Sequence, residues 1–244
     1  MTRISVVVPT YNEEKNIEKC LVALLNQSLP KDNYEIIVVD GNSYDNTYEI
    51  AKSYADKVIQ QISHGVGGAR NDGVDVAQGE IVATTDADCE PFEEWLEVIC
   101  KKFEDESVVA LTGILKPYDF TEMNKIEIFI YKRLFDASNW LLVVFSWIGH
   151  YHLCGANSAF RKDVFQKVGG YLPLAYADDV EIFKRIKKKG KILLDRKMKI
   201  RYSVRRIKKL GLMNYFFLII KMDWNIMVLG NKPTQGNYSK MDYD

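Results

Sequence analysis

The 244 residues predict an α/β protein with a mainly parallel central sheet, flanking helices and a C-terminal amphipathic helical extension. Three observations lead there. Short β-branched runs alternate with helical patterns through the first half. Acidic and polar residues stand just past several of those runs. The apolar stretches of the second half are too short or too interrupted to span a bilayer.

In order, Ile4–Val8 is a β-branched strand run ending at Pro9, and Ile17, Leu21, Leu24 and Leu25 then recur at helical spacing. Tyr34–Val39 reads as a second strand and Asn46–Tyr54 as a second helix. Val58–Ile62 is a short third strand, and a helix near Gly68–Ala77 closes at Gly79. Ile81–Thr85 is a fourth strand, before an amphipathic helix marked by Phe92, Trp95, Leu96, Ile99 and Phe103. A long helical stretch runs from about Glu122 to Ile148. Leu210–Leu229 is apolar but interrupted by Asn214, Lys221, Asp223 and Asn225, and reads as amphipathic. The expected organisation is a catalytic unit over 1–205, divided into 1–115 and 116–205. An amphipathic, membrane-associated helix over 206–230 and a loose tail over 231–244 are expected to follow.

A chain with 47% hydrophobic residues can bury a real core, which excludes a disordered polypeptide. Cys20, Cys89, Cys100 and Cys154 are scattered without metal-ligand spacing, as are His64, His150 and His152. With no secretory signal at the N-terminus, a reduced cytoplasmic setting is expected, peripheral to the membrane face. Zero net charge hides an asymmetry: Lys184–Lys209 holds 14 basic residues and one acid, Asp195. A solvated basic helix and strand would account for it. So would an anionic partner, either a phosphate-bearing substrate or a membrane surface. Nucleic acid is not an expected partner.

In open α/β sheets, ligands bind beyond the carboxyl ends of the strands. That rule gathers Pro9–Glu13, Asp40 and Asp86-Ala87-Asp88 on one edge. Two carboxylates spaced i, i+2 at a strand end suit a hard divalent cation, Mn²⁺ or Mg²⁺, which neutralises a pyrophosphate leaving group. Loop carboxylates that merely solvate a turn are the plainer reading of such a pair. Asp40 is placed to meet a nucleobase edge or to cap the next helix, and Arg70, after Gly65-Val66-Gly67-Gly68, to meet a base or a phosphate.

Taken in order, four segments resemble glycosyltransferase family 2: Val6–Glu14; Val39-Asp40-Gly41 with Ser43, Asp45 and Thr47; Ala69-Arg70-Asn71; and Thr85-Asp86-Ala87-Asp88. The likeness covers roughly 3–115 and continues more loosely through Cys154–Asn157 and Asp178–Ile182. It implies a Rossmann-like GT-A fold and an inverting transfer from a UDP- or GDP-sugar, in the flavour of dolichyl- or polyprenyl-phosphate glycosyltransferases. Pro9, Tyr11, Glu13, Asp40 and Arg70 would line the nucleoside pocket. Asp86 would hold ribose or metal, Asp88 the metal, and Glu90 would stand as a third ligand. Asp179 would be the general base, although the family's Glu-Asp pair is Asp178-Asp179 here. Asp178, Arg205 and Arg206 are candidates for acceptor or phosphate contact. The expected acceptor is lipid-linked, with a saccharide hydroxyl as the alternative. A processive synthase is not expected, because Gln-x-x-Arg-Trp is absent.

Readings from other classes fit less well. A nucleotidyltransferase would carry a basic, Gly-rich loop after the first strand, where Pro9-Thr10-Tyr11-Asn12 stands instead. A non-catalytic nucleotide-binding protein would be expected to have lost the acids that are present here.

Overall fold

The computed structural model describes residues 3–121, 123–149, 151, 153–174 and 178–211. Its first half follows the expected alternation. Strand β1 (Ile4–Thr10) leads to α1 (Ile17–Leu25), β2 (Tyr34–Asp40) to α2 (Thr47–Lys52), and β3 (Lys57–Gln60) to α3 (Gly65–Val76). Then come β4 (Ile81–Thr84), the short β5 (Cys89–Pro91) and α4 (Trp95–Lys102). The second half comprises β6 (Val108–Tyr118), α5 (Lys125–Trp147), β7 (Ser158–Arg161), α6 (Lys162–Lys167), α7 (Asp178–Ile186), β8 (Lys191–Ser203) and α8 (Arg205–Leu210).

One eight-stranded sheet has the order β3-β2-β1-β4-β7-β6-β8-β5. Strands β3, β2, β1 and β4 pair in parallel. Strand β7 runs antiparallel to both β4 and β6, while β8 is parallel to β6 and antiparallel to β5. The sheet is therefore mostly parallel but mixed, with β5 and β7 reversed.

Period-two burial places the sheet between two apolar layers. Ile4, Val6 and Val8 of β1 and Ile36 and Val38 of β2 face one layer, with Leu21 and Leu24 of α1 and Trp95 and Leu96 of α4. Val7, Ile37 and Val39 face the other, with Ala69 and Val74 of α3 and Ile182, Phe183 and Ile186 of α7. Each Val, Leu, Ile or Phe among them contributes roughly 1.5–3 kcal/mol by leaving water. This buried framework fixes where the strand ends fall.

Helix α5 begins at a capping box. Asn124 Oδ1 accepts from the amides of Ile126 and Glu127, and the Glu127 carboxylate accepts from the Asn124 amide. Among the described residues, no helix is long and apolar enough to cross a membrane. The expected amphipathic segment lies outside the described residues beyond Gly211, as does the tail over 231–244.

Candidate active site

The loops after β1 and β2 are stitched together. The Asn12 amide donates to Ser43 Oγ at 2.9 Å, and the Glu13 amide to Thr47 Oγ1 at 2.7 Å. Asp40 is fully buried and accepts from the amide and hydroxyl of Ser43, at 3.0 and 2.5 Å. Its carboxylate thus shapes the loop after β2. Asn12 and Asn42 take positive φ, a conformation that asparagine tolerates better than most residues. Tyr11 lies edge-on to Tyr44, with ring centroids 6.4 Å apart, and Pro9 is buried near the end of β1.

Beyond β4, two carboxylate–arginine networks meet. In the first, Arg70 of α3 donates to Asp86 at 2.8 Å and lies 3.5 Å from Asp178. Burial works against the Arg70 charge, but Asp86, Tyr171 and Asp178 outweigh it and raise its pKa. Burial likewise pushes the Asp178 carboxyl up to about 6, against the pull of Arg70 and with the charge of Asp179 adding to the rise. Glycines make room for this network. A Cβ on Gly155 would lie 2.6 Å from the Arg70 guanidinium, and one on Gly67 would lie 2.7 Å from an Asp178 oxygen. The Tyr171 ring packs 5.5 Å from the Arg70 guanidinium carbon, held by Asn71 through its amide and carbonyl.

In the second network, Arg205 at the start of α8 bonds Asp88 and also pairs with Glu13. Burial pushes the Glu13 carboxyl up more than Arg205 pulls it down. The Asp88 side chain is only 3% exposed. Beneath both networks lies Cys20, whose thiol is pushed well up by burial and then by Asp88, Asp86, Glu90 and Glu13. Asp179 belongs to the same neighbourhood: burial, then Asp179 and Asp86, push the Cys154 thiol up to about 12.

The structure therefore gathers Glu13, Arg70, Asp86, Asp88, Asp178, Asp179 and Arg205 at one sheet edge. Glu90 is nearby but turned to Arg201, at 2.9 Å. The Arg206 side chain lies outside the described residues, as do His150 and His152. Gly67, Gly155 and Tyr171 were not singled out from sequence for these roles. For the glycines, the signal was a small-residue motif whose partner is distant in the chain.

The donor set fits a hard divalent cation. Asp86 and Asp88 offer carboxylate oxygens at one strand end; Arg70 and Arg205 engage one oxygen of each, so an ion would take the remaining oxygens or displace an arginine. Among the described residues, no group of three or more His, Cys, Asp or Glu side chains could hold an ion. The fit is to one or two protein carboxylates, with the remaining positions left to substrate and water.

A family model described as Glycosyl transferase family 2 matches residues 5–169. The chain belongs to that family. Over 100 residues it is 42% identical to glycosyltransferase AglE of Haloferax volcanii, covering 38% of this chain and 33% of that protein. Over 203 residues it is 28% identical to the probable glycosyltransferase YdaM of Bacillus subtilis, covering 76% of this chain and 47% of the relative. The chain thus spans less than half the length of these two relatives.

Among solved structures, this family 2 chain is similar to the mannosyltransferase PcManGT of Pyrobaculum calidifontis in complex with GDP-Man and Mn²⁺. The TM-score is 0.67 and the identity 26%, over 90% of this chain and 64% of that one. Staphylococcus aureus TarS in complex with UDP-GlcNAc gives a TM-score of 0.65 at 22% identity, over 83% of this chain and 58% of that one. The family 2 chain therefore has a GT-A-like α/β fold.

Proposed function

We propose that the chain is an inverting, metal-dependent glycosyltransferase that moves a sugar from a UDP- or GDP-sugar to a lipid-linked or polyprenyl-phosphate acceptor. The observation that carries this reading is the meeting of Asp86, Asp88, Arg70 and Arg205 past the end of β4. Carboxylates able to hold a cation stand there beside guanidinium groups able to hold a diphosphate. Family membership and the nucleotide-sugars bound to PcManGT and TarS support the same donor class.

In this reading Asp86 and Asp88 hold Mn²⁺ or Mg²⁺, and Glu90 joins only by exchanging Arg201. When bound, the ion supplies charge neutralisation for the departing diphosphate. Pro9, Tyr11, Glu13 and Asp40 form the floor and wall of the nucleoside pocket. Arg70 holds Asp86 and Asp178 in place, and Arg205, with Arg206 after it, meets donor or acceptor phosphate. The acceptor oxygen attacks the sugar C1 as the bond from C1 to the diphosphate oxygen breaks. The electron pair leaves with the nucleoside diphosphate.

A saccharide hydroxyl acceptor is the second reading, and one observation favours it. Asp178 is buried against Arg70, whereas its neighbour Asp179 keeps part of its surface exposed. Asp179 is then placed to receive the hydroxyl proton as C1 is attacked.

The test is hydrolysis of UDP- and GDP-sugars with Mn²⁺ by the wild type and by Asp88→Ala. The variant is expected to lose about 100-fold or more of the rate, since the ion contributes several kcal/mol of charge stabilisation. Hydrolysis untouched by the substitution would refute the assigned site.

A further inference from the structure

Helix α5 turns apolar side chains outward near both of its ends. Tyr131, Phe135 and Asn139, spaced by four, form its buried face, and Asn139 exchanges hydrogen bonds in both directions with the backbone of Leu115. At about 3.6 residues per turn, Ile126, Phe129, Ile130, Trp140, Leu141 and Ile148 fall on the opposite side. Exposure is 72% at Ile126, 58% at Phe129, 64% at Trp140 and 76% at Ile148. Single exposed apolar side chains are ordinary, whereas two apolar clusters on one helix face, Ile126–Ile130 and Trp140–Ile148 with exposed Arg133 and Ala137 between them, mark an interaction surface.

The charges around these clusters indicate what they meet. Lys125, Lys132 and Arg133 are on the helix itself. Lys208 donates to the Thr121 carbonyl at 2.5 Å, just ahead of the first turn. At the far end, Lys187 donates to the Gly149 carbonyl at 2.7 Å. The acids of the helix are committed elsewhere: Glu127 closes the capping box and Asp136 pairs with Lys116 at 3.1 Å. The basic α8 packs on α5 through Val204 and Ile207 against Tyr131 and Phe135. Pairing of these clusters between two copies would bring these cations together, whereas an anionic bilayer neutralises them.

We infer that α5 is a membrane-docking helix that lies in the plane of an anionic lipid surface. The Ile126–Ile130 and Trp140–Ile148 clusters enter the boundary between headgroups and acyl chains, and Arg133 between them and the lysines of the helix reach the headgroups. Trp140 and Trp147 supply the amphipathic rings that favour this depth. The inference rests on the mounting of α5 and is independent of the acceptor's identity. It places the contact on the folded unit itself, apart from the segment after Gly211.

The test is co-sedimentation of the full chain at low salt with vesicles of phosphatidylglycerol and phosphatidylcholine, against phosphatidylcholine alone. The comparison is with a Phe129→Glu/Trp140→Glu double variant, whose fold is checked by circular dichroism and thermal unfolding. The wild type is expected to pellet with the anionic vesicles. The variant is expected to do so about tenfold less, with donor hydrolysis unchanged, which separates docking from the catalytic reading. Equal pelleting of the two proteins overturns the proposal by placing the contact elsewhere in the chain. So does failure of the wild type to pellet. A dimer that the double variant abolishes, with no vesicle binding, overturns it in favour of a second copy.

Discussion

Arg205 bonds Asp88 through Nε at 3.1 Å and lies 3.0 Å away through Nη2, although 117 residues separate the two in the chain. The same guanidinium pairs with Glu13, so one cation serves two buried carboxylates. A divalent ion on Asp88 would compete for the same oxygen, and the Arg205 side chain, 18% exposed, lies at the rim where it can yield.

Arg205→Gln is therefore expected to destabilise the free protein by about 2–4 kcal/mol, because it leaves Glu13 and Asp88 buried without their counter-charge. Mn²⁺ is expected to restore part of that loss and to raise Tm more in the variant than in the wild type. Thermal unfolding with and without MnCl₂ checks this. Equal Mn²⁺ shifts in both proteins would mean that arginine and ion do not share Asp88.

Gly155 offers a steric test of the other network. An added methyl would stand 2.6 Å from Cζ, Nη1 and Nη2 of Arg70, all within van der Waals radii. Arg70 is buried against Asp86 and Asp178, so it must give up one of those partners. Gly155→Ala is expected to cost about 1–3 kcal/mol through overpacking and to abolish the thermal shift produced by a nucleotide-sugar. Unchanged donor binding in this variant would show that the Arg70 geometry is not needed.

The parts legible in the sequence were those with local causes. Ile4–Val8, Tyr34–Val39 and Ile81–Thr85 are β-branched runs, and their sheet positions placed Asp40 and Asp86 at the expected edge. Strands β5 and β7 are too short to carry a comparable signal, whereas β6 opens on the apolar run Val108–Leu111 and was missed. Cys89–Pro91 is three residues with a proline and Ser158–Arg161 is four, while Gly113 and Pro117 interrupt β6 after its apolar start. Strand β5 takes its strand character from β8 and β7 takes its own from β4 and β6, while the charged sequence of β8 suggested only a basic strand. The site was legible in its acids and illegible in their partners. Pairs such as Arg205 with Glu13 or Arg201 with Glu90 are fixed by tertiary placement alone, as is the turn of Glu90 away from the other two acids.

The protonation of Asp178 sets a pH dependence of unusual sign. Its carboxyl keeps the proton up to about pH 6 in the folded protein, whereas an unfolded aspartate releases it near pH 3.8. Between those values the folded state binds more protons, so stability falls as pH rises and the loss is complete above the folded pKa. Glu13 shifts in the same direction. Relative to Asp178→Asn, which does not titrate, the wild type is expected to lose on the order of 2 kcal/mol between pH 4 and pH 7. Denaturant unfolding of both proteins across that range measures the difference. A wild type that gains stability relative to the variant as pH rises would reverse the assignment.

Asp179 separates the two acceptor classes. A hydroxyl acceptor must lose its proton as its oxygen attacks C1, so it needs a carboxylate base within reach. A polyprenyl phosphate is already ionised near neutral pH and needs only to be positioned. Asp179→Asn keeps the size and polarity of the side chain while removing its basicity, and it leaves the contact of Asp178 with Arg70 in place. With a saccharide acceptor the variant is expected to lose about 100-fold or more in kcat, the usual contribution of a positioned general base. With a polyprenyl phosphate its turnover is expected to stay within a few-fold of the wild type. Steady-state transfer measured with both acceptors and one donor distinguishes the cases. An equal collapse on both would recast Asp179 as a residue that positions the donor rather than one that takes the acceptor's proton.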